Sequence, residues 1–239
     1  MYPEALPHSL PEEISSGIFV VYGSVQANAL ARFSRNMVVV QDGNDLTLIN
    51  PVRMSEEGLE ALESLGEIKH ILRLAPFHGM DDPFYSDRYQ PTFWSFTDGA
   101  NFQEPAIDQT LQEGGALPFP GAELFVFNCM NQTEGVIYFN RSPGLLVTGD
   151  GIQSYATPPH YPHTNLFAKI VLPLIGFPKQ TLIGPVWVKR LVSDRDGIKR
   201  EFERLLDLDF DQLIAAHGTF LKQDAHAEVE AAVKKMFST

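Results

Sequence analysis

Three short stretches each end an apolar run on residues that bind cations: "ILRLAPFHGMDD" with His78, Asp81 and Asp82, "LLVTGDG" with Asp150, and "LIAAHG" with His217. Imidazole and carboxylate are side chains that ligate divalent metals and exchange protons near neutral pH. A ligand at a strand end is held by backbone already fixed in a sheet, and the adjoining Gly79, Gly149 and Gly218 let the chain turn sharply beside it. Brought to one place, His78, Asp150 and His217 supply three ligands, enough for one catalytic ion with a position left for water. The same residues also have plain local readings. Asp82 followed by Pro83 reads as a helix start, and Gly149-Asp150 as a turn.

The elements that must position them are legible from pattern. Strand-like runs come at 17–25, 36–41 and 46–51, with the turn pair Asp42-Gly43 between the last two. "SEEGLEALESLG" (55–66) predicts a short helix with Ser55 as N-cap and Gly66 as its stop. "IKHILRLA" (68–75) returns as a strand and delivers His78. The second half repeats this order: strands at 122–128, 135–140 and 144–150, a helix in "DRDGIKREFERLLDL", a short strand ending at His217, and an amphipathic closing helix. Residues 1–16, with three prolines and three glutamates, read as an extended lead-in to one domain spanning 1–239. Two halves of strands then helices imply sheet packed on sheet with helices outside, an α+β arrangement.

Composition narrows the chemistry. A net charge of -12 without a basic run excludes the cation-driven binding that nucleic acids require, and disfavours anionic membrane surfaces. The most apolar stretch, "LFAKIVLPLIGF" (166–177), contains Lys169 and Pro173 and is too short to span a bilayer. A single cysteine, Cys129, excludes an internal disulfide, reads as a small buried hydrophobe, and fits a cytoplasmic location. No G-x-S-x-G, G-x-x-x-x-G-K-[ST] or G-x-G-x-x-G follows any strand, so serine-hydrolase, P-loop and dinucleotide chemistries have no anchor. His160 and His163, in "QSYATPPHYPHTNLF", lie a few residues beyond Asp150 in a proline-shaped loop, with Tyr155 and Tyr161 as further candidates to contact substrate.

Taken together, "LTLINPV", "LLVTGD" and "IAAHG" resemble segments of the metallo-β-lactamase fold superfamily over nearly the whole chain. The resemblance implies a four-layer αββα sandwich of two mixed β-sheets with a metal site along one edge. Asp150 would then bind or bridge metal, and His217 would be the late histidine ligand. The family's H-x-H-x-D-H signature is degenerate here. With His78 on its second histidine, Pro76, Met80 and Asp81 fill the other positions; with His78 first, Asp82 takes the aspartate. The middle histidine is absent before "GVIYFN", where Cys129, Asn131 and Glu134 are the alternatives and Glu134 is the expected ligand.

The resemblance implies a metal-dependent hydrolase in which water activated by one ion attacks an ester, thioester, amide or phosphoester of a small-molecule substrate. His78, Asp150, His217 and Glu134 would hold the metal, and Asp81 or Asp82 would take the proton. Zinc is the first expectation, with iron or manganese suited to the same donors. The alternative, on the same fold, is a metal-free scaffold reused to bind a small molecule or a protein.

Overall fold

The structure, a computed structural model, describes residues 2–98 and 102–238; Met1 of the expected lead-in lies outside them. A seven-stranded sheet runs in sequence order through β1 (Glu12–Ser15), β2 (Ile18–Gln26), β3 (Arg32–Asp42), β4 (Asp45–Ile49), β5 (Glu67–Leu72), β6 (Thr92–Ser95) and β7 (Gln109–Thr110). The first three pairings are antiparallel and the last three parallel, so the sheet is mixed. α1 (Glu56–Glu63) makes the crossover from β4 to β5, and α2 (Asp82–Tyr89) the one from β5 to β6. A second sheet holds β8 (Ala122–Phe127), β9 (Glu134–Phe139), β10 (Leu145–Thr148) and β13 (Gln212–Ala215), with β13 parallel to β10 on the edge. β11 (Ile152–Ser154) and β12 (Thr181–Ile183) form a small antiparallel pair.

Alternation along the strands sets the layers. In the β2–β3 pair, Val20 lies opposite Val38 and Val21 opposite Met37. Because successive side chains point to opposite faces, the first pair turns toward the second sheet and packs with Ile137, Val147 and Ile214. The second pair turns outward and packs with Leu59 and Leu62 of α1 and with Phe84 and Tyr85 of α2. On the far side, Tyr138, Leu146 and Leu213 carry α5 (Arg195–Leu206) through Ile198 and Phe202, and α6 (Ala225–Phe237) through Val229 and Val233. Helix, sheet, sheet, helix is thus the order of layers. The two halves share the layering but not the size, since the first sheet is almost twice as wide.

Several expectations are refined. Residues 12–15 of the lead-in are a strand, and before them Ser9 N–H donates to the Tyr22 carbonyl (2.8 Å) while His8 Nε2 accepts from Ser55 N–H (2.9 Å). β3 begins four residues earlier than its apolar run, at Arg32. Cys129 is half-buried rather than buried, at a backbone φ of 62°. Among the described residues no helix is long and apolar enough to cross a membrane; the apolar stretch from 166 folds instead as α3 (Leu166–Leu174), capped by Asn165 Oδ1, which accepts from Ala168 N–H (3.0 Å). α4 (Pro185–Leu191) buries Trp187 completely.

Candidate metal centre

His78, Asp150 and His217 meet at one edge of the sandwich. His78 lies in the turn after β5, where its N–H donates to the Ala75 carbonyl (3.1 Å); Asp150 lies between β10 and β11; His217 follows β13. One ligand atom from each lies within 4.8 Å of the others, and all three residues are buried. His217 Nε2 is 3.0 Å from Asp150 Oδ1, and His78 Nε2 is 3.2 Å from Asp150 Oδ2.

The polar end of β3 fixes this cluster. His217 Nδ1 is 2.6 Å from the Ser34 carbonyl oxygen, an acceptor only, so Nδ1 must carry the proton and Nε2 faces the carboxylate. Gly218 N–H donates to Ser34 Oγ (3.1 Å), and Asn36 Nδ2 donates to the carbonyls of Ala215 (2.9 Å) and Gly218 (3.0 Å). Gly218 has φ +94°, and a Cβ there would fall 1.8 Å from the Ser154 carbonyl oxygen. Gly218→Ala is therefore expected to destabilise the fold by roughly 2–3 kcal/mol through steric and backbone strain. Denaturant unfolding reads this directly, and an unchanged midpoint would show that the turn relaxes freely.

Protonation follows from burial and neighbours. Burial alone would push the Asp150 carboxyl up, but His78 and His217 outweigh it and hold it well below the usual carboxylate range. Burial pushes the His78 imidazole down, toward its neutral form, against the opposing pull of Asp150. An ionised carboxylate beside a neutral imidazole is the protonation state that receives a cation. Asp150 Oδ2 is buried and faces His78 Nε2 at 3.2 Å, a contact outside hydrogen-bond geometry. On this donor set, with each Asp150 oxygen turned to an imidazole Nε2, the site fits one ion. His217 has the carbonyl that orients a ligating imidazole; at His78 the corresponding neighbour is a donor, Arg35 Nε–H, 3.4 Å from Nδ1. Ligation through His78 Nε2 requires the Nδ1–H tautomer, and hence release of that contact.

The other expected site residues are not brought to the cluster. Asp81 is the N-cap residue of α2, but its side chain makes no capping bond because Oδ2 accepts from Arg35 Nη1 (2.7 Å) and Arg53 N–H (3.1 Å). Asp82, the first residue of α2, is fully buried and accepts from Arg73 Nε (2.6 Å). Both carboxylates are thus engaged by arginine, which corrects the expectation that either takes a proton from water. Glu134 sits behind Asp150. Its Oε1 accepts from Gly151 N–H (2.7 Å), and a Cβ on Gly149 would fall 2.7 Å from its carboxyl carbon. Burial, then the Asp150 charge, raises the Glu134 carboxyl well above its usual range, and through Gly151 it clamps the 149–151 turn outside the His78, Asp150 and His217 group. Glu134→Gln, which keeps shape and neutrality, is accordingly expected to leave metal uptake unchanged; a fall in metal content on elemental analysis would restore Glu134 to the ligand set.

Of the loop histidines, His160 Nδ1 contacts the Tyr155 carbonyl oxygen (2.7 Å) and His163 offers its carbonyl to Arg32 Nε (3.2 Å), so neither reaches the cluster. The residues that pattern reading missed are Ser34, Arg35 and Asn36, each buried. Their only signal is three consecutive polar residues joined to the apolar run "MVVV".

Above the cluster opens a cavity of about 460 Å³, lined by His78, Asp150 and His217 at one end and by Phe33, Phe77 and α3 elsewhere.

No protein-family model matches the chain, and no curated protein is similar in sequence. Solved structures are similar in fold. The DIM-1 metallo-β-lactamase exposed to ceftazidime superposes with a TM-score of 0.66 at 12% identity, covering 98% of this chain and 100% of that one. The FIM-1 metallo-β-lactamase from Pseudomonas aeruginosa, in a mono-zinc form, gives 0.66 at 12% identity over 98% of both chains. A metallo-β-lactamase from Hirschia baltica gives 0.62 at 12% identity, over 95% of this chain and 98% of that one. Such identities carry the architecture and not the activity, and with the layer order and the edge cluster they lead to one statement: this chain has the metallo-β-lactamase fold.

Proposed function

We propose that this protein is a metal-dependent hydrolase with a one-ion centre, zinc first among the candidates, held by His78, Asp150 and His217. The observation that carries the reading is the buried Asp150 carboxylate held between the Nε2 atoms of two imidazoles beside an open cavity. A cation bound there supplies Lewis-acid polarisation of a carbonyl or phosphoryl oxygen and makes water more acidic. Ser34 holds His217 in the tautomer that leaves Nε2 free. The Gly151 N–H bond to Glu134 keeps the Asp150 turn in place.

Support from outside the chain is the fold shared with metallo-β-lactamases, one of them a mono-zinc form. The alternative, a metal-free binding protein on the same scaffold, draws on the Arg35 contact to His78 Nδ1. Elemental analysis of purified protein after zinc, iron or manganese loading separates the two. Near-stoichiometric metal together with chelator-sensitive hydrolysis of p-nitrophenyl acetate or bis-p-nitrophenyl phosphate is expected. Protein that stays metal-free in excess of all three ions would end the hydrolase reading.

A further inference from the structure

The cavity beside the cluster is walled almost entirely by hydrocarbon. Phe33 comes from β3, Phe77 from the His78 turn, Val171 and Leu172 from α3, and Ile175 and Phe177 from the segment after it. The polar side chains that also line it are mostly engaged within the protein. Arg35 is paired with Asp81 and donates to the Pro51 carbonyl (3.0 Å). Gln153 donates from Nε2 to the Asp150 carbonyl (3.0 Å) and accepts at Oε1 from the Tyr155 hydroxyl (3.1 Å). Asn28 Oδ1 accepts from the N–H groups of Leu30 (2.9 Å) and Ala31 (3.0 Å). Arg190 is exposed, with its guanidinium 6.0 Å from the centre of the Phe77 ring.

Such a wall has few free polar groups with which to recognise a polar substrate, and selects by apolar shape. The rim is of the same character: Phe167, Ile175 and Val186, which line it, are 48%, 59% and 47% exposed. At ~30 Å³ per small heavy group, the volume of about 460 Å³ corresponds to roughly 15 non-hydrogen atoms.

From this lining we infer that the substrate is a carboxylic ester or thioester of a medium-chain aliphatic acid, its hydrocarbon chain in the cavity and its carbonyl at the His78, Asp150 and His217 end. The reaction rests on the hydrolase reading above. Water oxygen bonds to the acyl carbon, the carbon–oxygen or carbon–sulfur bond breaks, one water proton passes to the leaving alkoxide or thiolate, and the acid and the alcohol or thiol are released.

The test begins with binding, in chelator-treated protein, of the neutral acyl analogues octanamide and butanamide by calorimetry. Burial is worth about fourfold in affinity per methylene, so octanamide is expected to bind at least ~50-fold more tightly than butanamide. Val171→Trp, which fills the cavity, and Phe167→Glu, at the half-exposed rim where the fold is not at risk, should each reduce octanamide affinity at least ~10-fold. A chain-length dependence below twofold, or tight binding that persists in Phe167→Glu, overturns the inference. Zinc-loaded protein is then given p-nitrophenyl octanoate and p-nitrophenyl acetate. Hydrolysis of both with equal kcat/KM would sink the acyl inference and leave the hydrolase standing; chain-length-dependent binding without hydrolysis would overturn the hydrolase reading and the ester as substrate together, leaving an acyl-binding cavity.

Discussion

Asp150→Ala protein is expected to bind zinc at least ~100-fold more weakly than the wild type and to lose any chelator-sensitive hydrolysis with it. The estimate is a lower bound, because removing a group that only orients a ligand already costs about 10–100-fold in affinity. Asp150 stands between the two imidazoles, and no other carboxylate among the described residues offers an oxygen to the cluster. Without it, His78 and His217, whose ring centres are 5.0 Å apart, remain as two imidazoles facing each other. Their Nε2 atoms are then buried without a partner, a cost of about 1–3 kcal/mol to the metal-free fold. Asp150→Asn separates the two effects: it keeps a polar partner for the imidazoles and removes the charge that attracts the ion. Competition titration with a chromogenic chelator measures both variants. Wild-type affinity in Asp150→Ala would show that metal, if taken up, is held elsewhere.

Pattern reading locates these three ligands because each terminates a continuous apolar run. The strands from 18 to 49 and from 122 to 148 are visible for the same reason, since both of their faces are covered and their residues are mainly apolar. Where such a run fails, the elements were hidden. β6 and β7 have only four and two residues, and α3 is apolar on both its cavity face and its exposed face, so no stripe marks it as a helix. Ser34, Arg35 and Asn36 of β3 interrupt the apolar pattern because their polar groups serve His217, Gly218 and His78 rather than the sheet interior. Departure from a local rule at a candidate site is itself informative. Asp81 and Asp82 failed for a different reason. Whether a carboxylate is free or paired depends on cations brought by the fold: Arg35, 46 residues away in sequence, and Arg73, nine residues away. Nothing in "GMDDP" announces either partner.

The Arg73–Asp82 pair carries the largest stability prediction. Arg73 donates from Nε to Asp82 Oδ2 (2.6 Å), from Nη1 to the Phe102 carbonyl (2.9 Å) and from Nη2 to the Glu104 carbonyl (2.9 Å). It thereby ties the end of β5 to the start of α2 and to the segment at 102–104, with its guanidinium 4.9 Å from the centre of the Phe93 ring. Side-chain exposure is 3% for Arg73 and 0% for Asp82, so both charges are out of water. Arg73→Leu leaves a buried carboxylate without its cation, and about 3–5 kcal/mol of stability should go with it. Arg73→Leu combined with Asp82→Asn removes the stranded charge and should recover part of that loss, a coupling that a double-mutant cycle reads out. The pH dependence has a definite sign. Burial raises the Asp82 carboxyl to about 6 against the pull of Arg73, so the folded state holds this proton more tightly than the unfolded chain. Its contribution to stability is therefore fully present below the unfolded value near 4 and is lost as pH rises through about 6. Loss of Arg73 raises the carboxyl further, so the deficit of Arg73→Leu relative to wild type should be larger at pH 7.5 than at pH 5. Equal deficits at both pH values in urea unfolding would mean that Arg73 does not influence the Asp82 proton, a smaller deficit at pH 7.5 that Asp82 reaches water in the variant, and a deficit below about 1 kcal/mol would place the pair among exposed ion pairs.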